Sequence, residues 1–312
     1  MCCLFGMLDY GGNFTAGQKR KMLSVLAAEC EIRGTDAAGV AYNSAGKLHI
    51  YKRPGPAHKL RVHLPRDADF IMGHTRMTTQ GSERKNCNNH PFWGQVDEGK
   101  FALAHNGVLR NDWILRRSQK LPNTKIQTDS YVAVQLIEKQ RALNFVSLEF
   151  MAEQIEGSFC FTILDERNNW YLVKGDNPIC LFHFPHERLY LYASTGAILE
   201  KALSRMDVKL ENEKQIKVEN GEIIKVNSMG TISRSSFEMR EGCWDYFGLY
   251  KGSCYGQRVL NFPRQDEGYL EELRVVASFF GHKPSYVDAL INEGFSCEDI
   301  EEILYTGRLS VY

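Results

Sequence analysis

The sequence is short of net charge, of paired cysteines and of long apolar runs. Its 312 residues carry 38 Lys+Arg against 38 Asp+Glu, a formal net charge of zero. Nucleic-acid binders show a basic excess, and over the whole chain there is none, so no nucleic-acid partner is indicated. No stretch reaches the roughly 18 uninterrupted apolar residues of a membrane span, so no membrane partner is indicated either. Met1 is followed by neither a basic segment nor a long apolar one, which argues against a secretory signal. Nine cysteines occur, at 2, 3, 30, 87, 160, 180, 243, 254 and 297. The number is odd and no two form Cys-x-x-Cys, so a disulfide framework and a zinc site are both poorly supported. A reducing, cytoplasmic compartment fits such a set, with Cys30, Cys160, Cys180 and Cys297 read as small buried apolar residues. The chain also lacks internal repeats and low-complexity tracts.

What is present is an ordinary globular composition, 43% hydrophobic and 24% charged. Length alone suggests about two domains of roughly 150 residues. Residues 2–8 (CCLFGML) read as a continuous apolar, buried strand closed by Gly11-Gly12, and 15–32 as a helix with Thr15 as its N-cap. A hairpin is expected over 38–43 and 47–53, with further strands at 69–75 and 101–105. Helices follow at 128–140 and 146–156, then strands at 158–164, 169–174, 179–184 and 188–193. A helix near 197–205 precedes strand-like pieces near 215–218, 222–226 and 229–233. Strands and helices thus arrive in blocks rather than in strict alternation, which predicts an α+β layered fold of mainly antiparallel sheets. After about residue 235 the texture changes, and three short helices are expected at 267–280, 285–293 and 297–305. Ser285-x-x-Asp288 and Ser296-x-x-Asp299 resemble capping boxes at two of their starts.

Five short segments are candidates for chemistry. Loss of Met1 would leave Cys2 with a free α-amine, whose unperturbed pKa near 8 suits it to act as base for the adjacent thiol. In GHTRMTTQG (73–81) a strand delivers His74 and Arg76 to a polar loop, where an arginine can grip a carboxylate with two parallel bonds or simply form a surface ion pair. His105-Asn106-Gly107 can be a tight type I′ turn, or an oxyanion hole made of the Asn106 amide and the Gly107 N–H. RGTDAAG (33–39) reads as a helix exit, with Arg33 near the helix C-terminus and Asp36 in the loop. Asp129, after Thr128, can cap a helix or bind a ligand. Each has an ordinary structural reading when taken alone.

Their order along the chain is more specific. MCCLFG, RGTDAAG, GHTRMTTQG, HNG and TDS together resemble the glutaminase domain of class II glutamine amidotransferases, which are N-terminal nucleophile (Ntn) hydrolases. EGSFCFTILD (156–165) is similar to a further strand of that family. The resemblance covers roughly residues 2–230. It implies a four-layer αββα sandwich over 2–235; the change of texture beyond it sets off a connecting segment over 236–264 and a small helical C-terminal appendage over 265–312. It further implies hydrolysis of the L-glutamine side-chain amide to glutamate and ammonia through a Cys2 thioester, with no metal and no cofactor. By the same resemblance, Asn106 and Gly107 form the oxyanion hole. Arg76 holds the substrate carboxylate, Asp129 its ammonium group, and Thr79 lies beside that pocket. Arg33 orders the N-terminus with Asp36 in the same loop, and His74 and His105 support the site. Three positions depart from the family pattern: Cys3 replaces Gly, Met77 stands where Trp is frequent, and Gln80 where His is frequent.

After about residue 235 the sequence holds no Gly-rich phosphate loop and no Rossmann fingerprint. The expected partner is therefore a separate ammonia-accepting synthase or ligase. A freestanding amidohydrolase acting on another γ-glutamyl compound and a non-catalytic binding module on the same fold are the alternatives.

Overall fold

The computed structural model describes residues 2–239 and 267–306. The chain begins with strand β1 (Cys3–Asp9), helix α1 (Ala16–Glu29) and a 3-10 turn over Cys30–Arg33. The hairpin β2 (Ala37–Ser44) and β3 (Lys47–Pro54) follows, then β4 (Phe70–Arg76), β5 (Phe92–Val96) and β6 (Gly99–Leu109). Three helices come next: α2 (Asp112–Ser118), α3 (Tyr131–Gln140) and α4 (Phe145–Gln154). Strands β7 (Gly157–Asp165), β8 (Trp170–Lys174), β9 (Cys180–Phe184) and β10 (Leu189–Ala193) lead to α5 (Gly196–Arg205). Strands β11 (Lys214–Ile216), β12 (Glu222–Val226) and β13 (Ile232–Ser236) complete this part. Helices α6 (Glu267–Phe279), α7 (Ser285–Asn292) and α8 (Cys297–Thr306) form the C-terminal group.

The strands build two sheets. Seven run in the order β11-β9-β10-β1-β4-β2-β3 and six in the order β13-β12-β8-β7-β6-β5. Neighbouring strands in both are antiparallel. Side chains alternate across a strand, so a strand buried on both faces reads as an unbroken apolar run. In β1, Cys3, Phe5 and Met7 face the layer of α1 and α5, while Leu4 and Leu8 face the other sheet. In β6, Phe101 and Leu103 pack toward α3 and α4, while Ala102 and Ala104 join Leu4 and Leu8 between the sheets. The result is a helix–sheet–sheet–helix sandwich: the block pattern of the sequence predicts its antiparallel layers, and the family resemblance implies their four-layer order.

Helix α1 starts as the sequence indicated. Thr15 Oγ1 accepts from the Gln18 N–H at 3.3 Å, and Gln18 Oε1 accepts from the Thr15 N–H at 2.9 Å. Buried Lys19 ties the helix to the sheet through Asp9, at 3.5 Å, and through Asp69.

Several expectations are corrected. Asn106-Gly107 is not a hairpin turn, because β6 runs through it to Leu109 in register with β7. The helix expected from 128 begins at Tyr131 behind Ser130, and the Asp129 carboxylate accepts from the Leu109 N–H at 2.7 Å instead of capping it. Ser285 makes no cap: Pro284 occupies that position, and Asp288 accepts from the Arg274 guanidinium at 2.6 Å. The Ser296 box does form, with Asp299 N–H donating to Ser296 Oγ at 3.2 Å and Ser296 N–H to Asp299 Oδ2 at 2.9 Å. Strand β5 and helix α2 were not expected. Most of the expected connecting segment, from residue 240, lies outside the described residues, as do Cys243 and Cys254.

Candidate active site

The first residue before β1, the last residue of β4 and the middle of β6 meet at one end of the inter-sheet layer. Pairing of Cys3 with Thr75 sets the start of β1 beside the end of β4. Alternation then points Cys2 to the same side as Leu4, away from Cys3, which is buried in the α1 layer. This separates the two neighbouring thiols by a sheet face. The Cys2 thiol donates to the Met77 carbonyl at 3.6 Å. Burial raises its pKa; the Arg76 charge works against that rise, and the Glu272 charge adds to it.

Arg33 lies in the turn after α1 and is fully buried. Its Nε donates to the Cys2 carbonyl at 2.9 Å, so a charged group holds the residue that precedes β1. Gly34 is required here by close approach, since a Cβ would come within 2.5 Å of the Arg76–Met77 peptide. Asp36 secures the other side of that peptide. Its Oδ2 accepts from the Thr78 N–H at 2.7 Å, and its own N–H donates to the Arg76 carbonyl at 3.0 Å. The first half of RGTDAAG therefore fixes both Cys2 and the loop that follows Arg76.

Arg76 itself is buried. It donates to Asn89 Oδ1 at 2.7 Å and to the carbonyls of Gln80 and Gly81 at 2.6 and 3.0 Å. These acceptors use three of the five N–H bonds of a guanidinium, and the other two are without acceptors among the described residues. Gln80 also reaches Asp129, its Oε1 accepting from the Asp129 N–H at 2.9 Å. One residue thus links the basic and the acidic candidate. Burial raises the Asp129 carboxyl above its ordinary value, against the hydrogen bonds from Leu109 and Ser130. Thr79 stands exposed in the same loop.

In β6, the Asn106 side chain is fully buried, and neither its Nδ2 nor its Oδ1 has a hydrogen-bond partner among the described residues. Such a group is costly to bury unsatisfied, and its position beside Gly107 suits a ligand oxygen. Gly107 has φ +136, and a Cβ there would meet the Ser158 carbonyl at 2.1 Å and Asn177 Nδ2 at 2.7 Å. Only glycine fits on both counts.

Behind this row, His74 Nε2 donates to the His105 carbonyl at 2.9 Å, and His105 Nδ1 lies 2.8 Å from Ser130 Oγ. His90 packs on His74, with ring centroids 4.3 Å apart. Burial drives His74 and His105 down to about 3 and His90 well below its usual value, so all three are neutral at pH 7. Among the described residues, no group of three or more His, Cys, Asp or Glu is arranged to hold a metal ion. No helix there is long and apolar enough to cross a membrane.

Residues 74–201 match a family described as a glutamine amidotransferase domain. The match supports a class II glutamine amidotransferase domain in this part of the chain. A curated relative, the glutamine–fructose-6-phosphate aminotransferase (isomerizing) of Geobacillus kaustophilus, is 31% identical over 189 residues, 57% of this chain and 30% of the relative. Its namesake from Helicobacter pylori is 26% identical over 243 residues, 75% of this chain and 37% of the relative. The chain spans about a third of the length of these curated relatives. Among solved structures, the glutamine phosphoribosylpyrophosphate amidotransferase from B. subtilis superposes with a TM-score of 0.59 at 21% identity, covering 77% of this chain and 50% of that one. This likeness is one of fold, and it agrees with the four-layer sandwich.

Four polar residues of this amidotransferase domain escaped the reading of its sequence. Ser130 joins His105 to Asp129, and Asn89 accepts from Arg76. Asn177 Nδ2 donates to the Asn106 carbonyl at 2.9 Å, and Ser158 Oγ accepts from the Val108 N–H at 3.2 Å. The available signal was position: Ser130 stands inside TDS, and Asn177 lies in the polar Gly175-Asp176-Asn177-Pro178 loop that follows a strand.

Proposed function

We propose that residues 2–235 hydrolyse the side-chain amide of L-glutamine to glutamate and ammonia, with Cys2 as nucleophile after removal of Met1. The observation that carries this reading is the buried, unpartnered Asn106 amide beside Gly107, at the end of the inter-sheet layer where Cys2 and Arg76 also lie. The α-amine freed on Cys2 takes the thiol proton, and the thiolate attacks the amide carbon. The resulting oxyanion is held by Asn106 Nδ2–H and the Gly107 N–H. The protonated amine gives its proton to the departing nitrogen, and ammonia leaves a γ-glutamyl thioester. Water, deprotonated by the same amine, then attacks the thioester and releases glutamate with the thiol restored.

Glutamine is a zwitterion at its α-carbon, and Arg76 and Asp129 offer the two opposite charges. The remaining N–H bonds of Arg76 take the carboxylate in a charge-assisted pair. Asp129 takes the ammonium group, with Thr79 at the loop edge. Arg33 fixes the Cys2 carbonyl, Asp36 fixes the Arg76 loop, and the bond from His74 to the His105 carbonyl ties β4 of one sheet to β6 of the other. The proposed ammonia acceptor is a synthase or ligase outside these 312 residues, since the stretch after 235 has no nucleotide- or phosphate-binding fingerprint.

Intact-mass analysis before and after 6-diazo-5-oxo-norleucine tests the reading. The expected result is loss of Met1 and one adduct mapped to Cys2. An unprocessed chain with no adduct refutes it.

A further inference from the structure

The C-terminal helices form a unit with its own interior. Leu273 and Val276 of α6, Val287 and Leu290 of α7, and Ile300 and Leu304 of α8 are buried against one another, and no residue of 2–239 joins that cluster. Among the described residues, two carboxylates of the unit bind the sandwich. Glu301 accepts from Arg33 Nη1 at 2.7 Å and also from the Tyr269 hydroxyl. Arg33 is the residue whose Nε holds the Cys2 carbonyl. Glu272 accepts from Asn177 Nδ2 at 3.2 Å and from Ser158 Oγ at 3.4 Å, and the same Asn177 nitrogen donates to the Asn106 carbonyl. Helix α6 packs on β6 and β7, the strands that carry Asn106, Gly107 and Ser158. Glu272 and Glu301 are 7% and 5% exposed.

Two buried carboxylates have the wrong sign for a site in which a thiolate and then an oxyanion must form. Substrate also has to reach Asn106, which is fully buried. A unit with its own core, docked through an ion pair and a few hydrogen bonds, can leave without unfolding either part, because interfaces of this polar kind allow relative motion of domains. We propose that residues 267–306 are an intramolecular lid over Cys2 and the Asn106–Gly107 pair, and that glutamine enters only when this lid lifts. The proposal rests on the glutaminase reading for its purpose, but not for its geometry.

The test uses the full chain carrying Glu272→Gln and Glu301→Gln together. Closing the lid then leaves Arg33 buried without the Glu301 charge, which shifts the balance toward the open form by about tenfold or more. The first readout is the rate of Cys2 alkylation by iodoacetamide, followed by mass spectrometry with exposed Cys87 as internal reference. Cys2 should react about ten times faster or more in the variant while Cys87 is unchanged. Equal Cys2 rates overturn the lid. The second readout is glutamate release, which should rise with Cys2 alkylation. A fall in release by a variant that retains its far-ultraviolet dichroism means that the carboxylates serve catalysis, and it too overturns the lid. Faster alkylation with no glutamate release from either protein leaves the lid standing and refutes the glutaminase reading. If the double variant does not fold, Glu272→Gln alone, which keeps the Arg33–Glu301 pair, should still accelerate Cys2 alkylation; no acceleration overturns the proposal.

Discussion

Acidification should destabilise this protein through the histidines behind its site. In the unfolded chain each titrates near 6.5. In the fold His74 and His105 are held at about 3, first by burial. Nearby Arg76 and Lys52 lower His74 further. Between the two values the unfolded chain binds protons that the folded chain refuses. The stability these groups contribute is therefore whole above pH 6.5 and is lost as pH falls. At pH 5.5 each site has lost about 1.4 kcal/mol, against about 0.1 kcal/mol at pH 7.5. The two sites together give a loss of about 2.7 kcal/mol over that interval, and His90 adds a third contribution of the same sign. With an unfolding entropy of about 2 cal/mol/K per residue, the two sites alone lower Tm by about 4 °C. Calorimetry at both pH values and constant ionic strength measures this. The decisive comparison is with His105→Gln, which keeps an acceptor toward Ser130 and should lose about 1.4 kcal/mol of the pH dependence. Burial raises Asp129 and Glu301, which act with the opposite sign at lower pH, but both proteins share them. Identical pH dependence in wild type and variant would refute the reasoning.

Three further outcomes follow from the site. Asn106→Ala should lower kcat for glutamine hydrolysis by about 100- to 1,000-fold with little change in KM, since the oxyanion exists only after attack; steady-state kinetics reads this. Gly107→Ala should cost about 2–4 kcal/mol in urea unfolding, because the added methyl meets the Ser158 carbonyl and the backbone conformation is unfavourable to alanine. Arg76→Lys should raise KM by about tenfold or more while changing kcat less, because an ammonium group cannot reproduce a two-pronged carboxylate pair.

Much of the sandwich was legible because burial on both faces leaves a plain mark. The continuous burial of β1, β7 and β10, apolar along most of each strand, follows directly from their place between two layers. HNG misled as a turn because Asn-Gly favours left-handed backbone, whereas here the glycine serves close strand packing against Ser158 within an unbroken strand. Strand β5 carries exposed Trp93 and Gln95 between buried neighbours and is only five residues long, too short for its alternation to stand out. The two Ser-x-x-Asp patterns were alike in sequence and opposite in structure, since Pro284 takes the cap before Ser285 and Arg274 claims Asp288. The contacts of Glu272 and Glu301 could not be read at all. They join residues 95 and 268 positions apart, and nothing local marks a helix-surface glutamate as the partner of a buried arginine.

The central claim is that Cys2, and not its neighbour, performs the chemistry. Glutamate release by the purified full chain, by Cys2→Ala and by Cys3→Ala tests this most directly. The account predicts that Cys2→Ala abolishes release while Cys3→Ala, whose side chain faces the α1 layer, retains most of it. Equal loss in both variants, or undiminished release by Cys2→Ala, would contradict it.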